Sequence, residues 1–208
     1  LLIEYRGIRV NRNGVDILSD FNLEVERGEK VLVYGKSGTG KTTILKLLLG
    51  FVRPDGGAVY FEGRKLDRRS VWEVRKRVAY VSQDLDIAEG RVGDFVEGVL
   101  NFKANSHLRV DGRRVEEVLE LLELETSILD KQMTDISGGE KQRVALMVAI
   151  LLGRDVFLLD EATSAVDPEM KRKIVDYFNS LEETTVISVS HDVSWLEGAD
   201  MKVVRLGV

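Results

Sequence analysis

Hydrophobic positions along the chain follow two different periods. Short apolar runs, FNLEV at 21–25, KVLVYG at 30–35, AVYFEG at 58–63, VAYVS at 78–82, VFLLD at 156–160 and TVISVS at 185–190, read as strands. The segments 31–34, 156–159 and 186–189 barely alternate with polar residues, as expected of strands covered on both faces. Between residues 84 and 153 the spacing becomes helical. Val92, Phe95, Val96, Val99 and Leu100 share one face, and Val115, Val118, Leu119 and Leu122 share another. The pattern predicts an α/β chain in which 1–83 and 154–208 form one lobe with a mostly parallel core sheet, and 84–153 is a helical lobe inserted into it.

The strand KVLVYG runs directly into GKSGTGKT and an apolar helix. Gly35, Lys36, Ser37, Gly38, Thr39, Gly40, Lys41 and Thr42, followed by Thr43, match the GxxxxGK(S/T) phosphate loop. Glycines allow backbone N–H groups to curl around phosphates, and the helix N-terminus adds partial positive charge. Lys41 is placed to reach the β- and γ-phosphates, and the Thr42 hydroxyl to ligate Mg²⁺. A site for ATP or GTP follows.

The strand VFLLD ends in two acids. Asp160 is placed to hold Mg²⁺ beside Thr42, and Glu161, one residue beyond, to orient or deprotonate a water. His191, beside Asp192, ends another buried strand at the edge where α/β sheets bind nucleotides. Gln83 holds a similar position after VAYVS, where a bare surface turn explains it as readily.

Composition narrows the class. The 208 residues are 44% hydrophobic and 31% charged, ordinary for a globular protein. A net charge of −5 argues against nucleic acid as a partner. Without cysteine there is no disulfide and no thiolate metal site. The longest apolar run, VALMVAILLG at 144–153, is half of the ~20 residues that span a bilayer. The opening LLIEYRGIRV lacks a leader-like apolar stretch, and the ending MKVVRLGV carries the expectation of no regulatory domain after it.

A second glycine loop, DISGGEKQR at 135–143, opens a helix of its own. Ser137, Gly138 and Gly139 before that helix suit an anion; a cap alone would explain Ser137 but not the glycines. In order and spacing, GKSGTGKT, Gln83, ISGGEKQRVAL, VFLLDEATSAVD and His191 resemble the ATP-binding cassette ATPases over essentially the whole chain. The resemblance implies a P-loop NTPase fold with an N-terminal antiparallel β segment and the inserted helical subdomain, binding ATP with Mg²⁺.

It also implies two copies stacked head to tail. Ser137, Gly138, Gly139 and Glu140 of one then close over the γ-phosphate at Lys41 of the other, and Asp167 speaks across the interface. Gln83 contacts metal and attacking water, His191 contacts the γ-phosphate, and Arg12 takes the place of the aromatic residue that stacks on adenine. The partner is a separate membrane-spanning permease, pressed against the region DLDIAEGRV that follows Gln83, which puts the protein on the cytoplasmic face of the membrane. The compact form is similar to exporter-like subunits. A soluble ATPase of iron–sulfur cluster assembly is the alternative, whereas a small P-loop kinase leaves SGGEKQR unused.

Overall fold

The computed structural model describes residues 1–84, 89–191 and 201–207. The region expected to meet a permease therefore lies partly outside the described residues, at 85–88, as does Asp192.

Strands β1 (Ile3–Arg12) and β2 (Val15–Val25) form a hairpin closed by Asn13 and Gly14, at φ 52 and 82. An Asn-Gly pair supplies the left-handed backbone that a two-residue turn needs. Strand β1 escapes a reading by periodicity because its register shifts between Tyr5 and Ile8 and again before Val10. Ile3, Tyr5, Ile8 and Val10 are all buried, yet their spacing changes phase at the irregularity.

After β3 (Lys30–Gly35) and helix α1 (Lys41–Leu48), strands β4 (Gly56–Phe61) and β5 (Arg64–Lys65) complete an antiparallel sheet in the order β2-β1-β4-β5. Helix α2 (Ser70–Arg77) follows, then β6 (Val78–Val81). Among the described residues, the α-helices α3 (Val92–Leu100), α4 (Gly112–Leu121) and α5 (Gly138–Leu152) come before the next strand. The chain then returns through β7 (Val156–Asp160), α6 (Pro168–Ser180), β8 (Thr185–Ser190) and β9 (Lys202–Leu206). A five-stranded parallel sheet, β6-β7-β8-β3-β9, is the core.

This sheet is apolar on both faces because it is covered on both. Leu32, Val81, Phe157, Leu159 and Val186 pack with α5 and α6. Val31, Val33, Leu158, Ile187 and Val189 pack with α1 and the antiparallel sheet. Each such side chain, fully buried, contributes about 1.5–3 kcal/mol before chain entropy is charged against it.

The run VALMVAILLG belongs to α5, in which every residue from Val144 to Leu151 is buried. A helix that is apolar all round is an interior helix. It stops at Gly153, whose φ of 54 is the left-handed cap that glycine adopts without strain. Among the described residues no helix is long and apolar enough to cross a membrane. Helix α4 starts at Asp111, which caps the backbone N–H of Arg114 at 2.9 Å, and buries Val118 and Leu119 as its periodicity predicts.

Candidate functional site

The parallel sheet delivers four strand ends to one edge. β3 ends at Gly35, β7 at Asp160, β8 at Ser190 and β6 at Val81, two residues before Gln83. Ligands in such folds bind beyond the carboxyl ends of the strands.

Gly35 and Gly40 are required by close approach. A Cβ on Gly35 would stand 2.7 Å from the Leu206 carbonyl oxygen and 2.9 Å from Thr39 Oγ1. On Gly40, at φ 92, it would meet Ile17 Cγ2 at 2.9 Å. The Thr39 hydroxyl ties the loop across itself by donating to the Lys36 carbonyl at 2.9 Å. Helix α1 has no acidic residue of its own in its first turn to offset its positive end.

Lys41 is buried. Its Nζ donates to the carbonyls of Gly35 at 2.7 Å and Lys36 at 3.0 Å, and lies 3.8 Å from Glu161 Oε1. A lysine held by two carbonyls of its own loop needs only to exchange those acceptors for phosphate oxygens.

Asp160 is 1% exposed and both its oxygens are bonded. Thr42 Oγ1 donates to Oδ1 at 2.8 Å, and the Tyr80 hydroxyl donates to Oδ2 at 3.1 Å. Burial pushes this carboxyl above its ordinary range, while the Thr42 and Tyr80 hydroxyls pull it back. The same burial, with the Asp160 charge, pushes the Tyr80 phenol up to about 12, so it remains a donor. Tyr80 is a site residue that sequence reasoning missed. Its one signal was a phenol three positions before Gln83 in a strand that pairs with the acidic strand. Tyr80 is the residue of this segment that hydrogen-bonds Asp160.

Glu161 is 7% exposed and stands at φ 49, a left-handed conformation that costs a non-glycine residue of order 1 kcal/mol. Its backbone N–H donates to Val189 at 3.0 Å, which ties it to β8. Its Oε1 lies 3.0 Å from His191 Nδ1, so carboxylate and imidazole form a pair whose proton position follows the histidine tautomer.

One cleft of about 580 Å³ gathers these groups. It is lined by Lys36, Ser37, Gly38, Gly40, Lys41, Thr42 and Thr43 of the loop, together with Arg12, Gln83, Glu161 and His191. Arg12 reaches it from the end of β1. Tyr5 is buried, and its hydroxyl donates to the Ile44 carbonyl at 3.0 Å, so it is not available to a base.

Ser137, Gly138, Gly139, Glu140 and Asp167 are not among the residues lining that cleft. Ser137 caps α5 by accepting from the Glu140 N–H at 3.2 Å, and Glu140 answers by accepting from the Ser137 N–H at 2.8 Å. This reciprocal box gives Glu140 a structural role, reinforced by Lys131 at 3.3 Å, and holds its carboxyl below the usual range. Gly139 corrects the sequence argument, because it has a reason inside its own chain: a Cβ there would lie 2.8 Å from the Ala165 carbonyl oxygen. Gly138 is exposed and has no such constraint, since a Cβ on it meets nothing within 4 Å. Asp167 caps α6, accepting from the N–H groups of Glu169 and Met170, both at 3.0 Å.

Comparison with known proteins gives the family. A family model described as "ABC transporter" matches residues 18–164. The energy-coupling factor transporter ATP-binding protein EcfA1 of Geobacillus kaustophilus is 35% identical over 210 residues, covering 98% of this chain and 74% of its own. Its counterpart from Oceanobacillus iheyensis is 30% identical over 211 residues, covering 98% of this chain and 75% of its own. Among solved structures, a bacterial ABC transporter cassette in dimeric form superposes with a TM-score of 0.86 at 26% identity, covering 99% of this chain and 94% of that one. The chain belongs to the ABC transporter family.

Proposed function

We propose that the protein is the ATP-hydrolysing subunit of a membrane transporter, working as a head-to-tail pair and coupled to a permease on a separate chain. The observation that carries this reading is the single cleft in which the phosphate loop, Glu161 and His191 meet, with its lining residue Thr42 bonded to Asp160. The transport role is supported by relatives named as transporter ATP-binding proteins.

In this mechanism Lys41 leaves the Gly35 and Lys36 carbonyls for the β- and γ-phosphate oxygens of ATP, and the α1 N-terminus faces the same anion. Glu161 takes the proton of a water placed in line with the γ-phosphorus as the water oxygen bonds to that phosphorus; the bond from phosphorus to the β-phosphate oxygen breaks, ADP leaves with that electron pair, and inorganic phosphate is the other product. His191, paired with the carboxylate at 3.0 Å, orients it and contacts the γ-phosphate. Arg12 lies flat against the base, as a guanidinium does on an aromatic ring.

The hard oxygen donors of Thr42 and Asp160, 2.8 Å apart beside the loop, fit Mg²⁺, with Gln83 completing the set. Mg²⁺ bound there would neutralise charge on the phosphates. Tyr80 orients the second oxygen of Asp160, so Tyr80→Phe should raise several-fold the Mn²⁺ concentration that saturates the ATP-loaded protein, read by electron paramagnetic resonance, on the order of the 10-fold lower end expected for a lost metal-supporting hydrogen bond. Unchanged Mn²⁺ affinity would remove that role from Tyr80.

Ser137, Gly138, Gly139 and Asp167 serve the nucleotide of the second copy. The division into an α/β lobe, 1–83 with 154–208, and a helical lobe, 84–153, belongs to the same reading, as does a position on the cytoplasmic face of the membrane.

The test of the transport role is capture of the tagged protein from detergent-solubilised membranes. A multi-span protein retained in stoichiometric amount is the expected result. Retention of soluble scaffold proteins alone would favour iron–sulfur cluster assembly instead.

A further inference from the structure

We propose that Gln142 is a positioning residue for Glu161, and that it joins the second glycine loop and the carboxylate of one subunit into a single mechanical unit. This deepens the function proposed above and rests on it.

Gln142 lies on α5 five residues after the cap Ser137 and is 1% exposed. Its amide is spent on one short segment. Nε2 donates to the Glu161 carbonyl at 3.0 Å and to Ser164 Oγ at 3.3 Å, and Oε1 accepts from the Ala165 N–H at 2.8 Å. A buried amide bonded at both ends holds its partners in a fixed orientation.

The residue it grips needs holding. Glu161 sits at φ 49, where side chains other than glycine persist only when their surroundings over-determine them. Three bonds do this: the Glu161 N–H to Val189, and the Ser164 N–H and Gln142 Nε2 to the Glu161 carbonyl, each at 3.0 Å. Freed from Gln142, the Glu161 peptide can turn, and its carboxylate swings off His191 Nδ1.

A second contact joins the same two segments. The first turn of α5 approaches the Ala165 carbonyl so closely that a Cβ on Gly139 would stand 2.8 Å from it. Helix α5 and the 161–165 turn are thus fastened at Gly139 and at Gln142. The loop that reaches the partner's nucleotide is bonded, through its own helix, to the backbone of the residue that deprotonates the water attacking the subunit's own nucleotide. Closure over one ATP therefore sets the geometry at the other.

Gln142→Met keeps the length of the side chain and removes all three bonds. The expected result is a kcat for ATP lower by roughly 10- to 100-fold, the cost of misplacing a catalytic group by about 1 Å. KM and nucleotide affinity should stay within about twofold, since the phosphate loop is untouched. Cooperative melting and normal ATP binding verify that the variant is folded. Gln142→Glu, which keeps the shape and the acceptor toward Ala165, should lose turnover similarly and serves if the first variant does not fold.

In a Glu161→Gln background, single-turnover hydrolysis should change by less than about twofold on adding Gln142→Met, because the effect passes through Glu161. Unchanged kcat in Gln142→Met, or an equal further loss in that background, would overturn the proposal alone. Full turnover in Glu161→Gln by itself would overturn the reading of the site, and this proposal with it.

Discussion

Glu161→Gln lowers steady-state phosphate release at saturating ATP by at least about 100-fold, the lower range for removal of a general base. The substitution keeps the shape of the side chain and removes its charge, so the ability to take a proton is what is lost. Nucleotide affinity changes little, because in the proposed mechanism the phosphates are held by the loop around Lys41 and by Thr42. The structure supplies the reason for so large an effect. Glu161 is buried, stands 3.0 Å from His191 and 3.8 Å from Lys41, and is held in a left-handed backbone that aims it into the cleft. Turnover remaining above about a tenth of the parent would mean that another group takes the proton.

Ser137→Arg abolishes pairing of two copies in ATP while each copy still binds nucleotide. Ser137 is exposed at the N-terminus of α5, where free amides and the helix dipole favour an anion. In the proposed pairing an arginine there fills the space of the partner's phosphate, and it sets a cation on the positive end of the helix. It also removes the Ser137–Glu140 box, costing about 1 kcal/mol of stability, so the cap and the cradle must be separated. Ser137→Asp does this. Aspartate caps a helix as well as serine and suits its dipole, yet repels the triphosphate, so pairing should fail while the melting temperature holds. A Ser137→Asp protein that still pairs normally in ATP would leave Ser137 as a helix cap and nothing more.

The parts of this protein that were legible in its sequence are those set by local physics. β3, β7 and β8 announce themselves because both faces of the core sheet are covered, so that Val31, Leu32 and Val33, the run Val156 to Leu159, and Val186, Ile187 and Val189 are apolar toward both faces. The phosphate loop is legible because its glycines answer to backbone geometry within a few residues. Where the pattern is broken or weak, elements pass unseen. β1 changes phase at its irregularities, and α2 buries only Val71 and Val74 in a segment half of whose residues are charged.

Partners distant along the chain are the least legible part of the site. The Tyr80 hydroxyl meets Asp160 80 residues away, and Gln142 meets the 161–165 turn only once α5 has packed against it. Gly139 shows the same limit from the other side. Its two-glycine setting reads as an anion cradle, whereas its own-chain constraint, the Ala165 carbonyl, is visible only in three dimensions. Gly138, free of any such neighbour, carries that part of the sequence argument alone.

The solution mass of the Glu161→Gln protein, first without nucleotide and then with excess ATP, bears most directly on the claim that the second glycine loop completes a neighbour's site. Hydrolysis is blocked in this variant, so any paired state persists long enough to be weighed. The account predicts a monomer without nucleotide and a dimer of twice the mass with ATP, lost again on adding Ser137→Arg. A monomer that binds ATP fully and stays a monomer would contradict it.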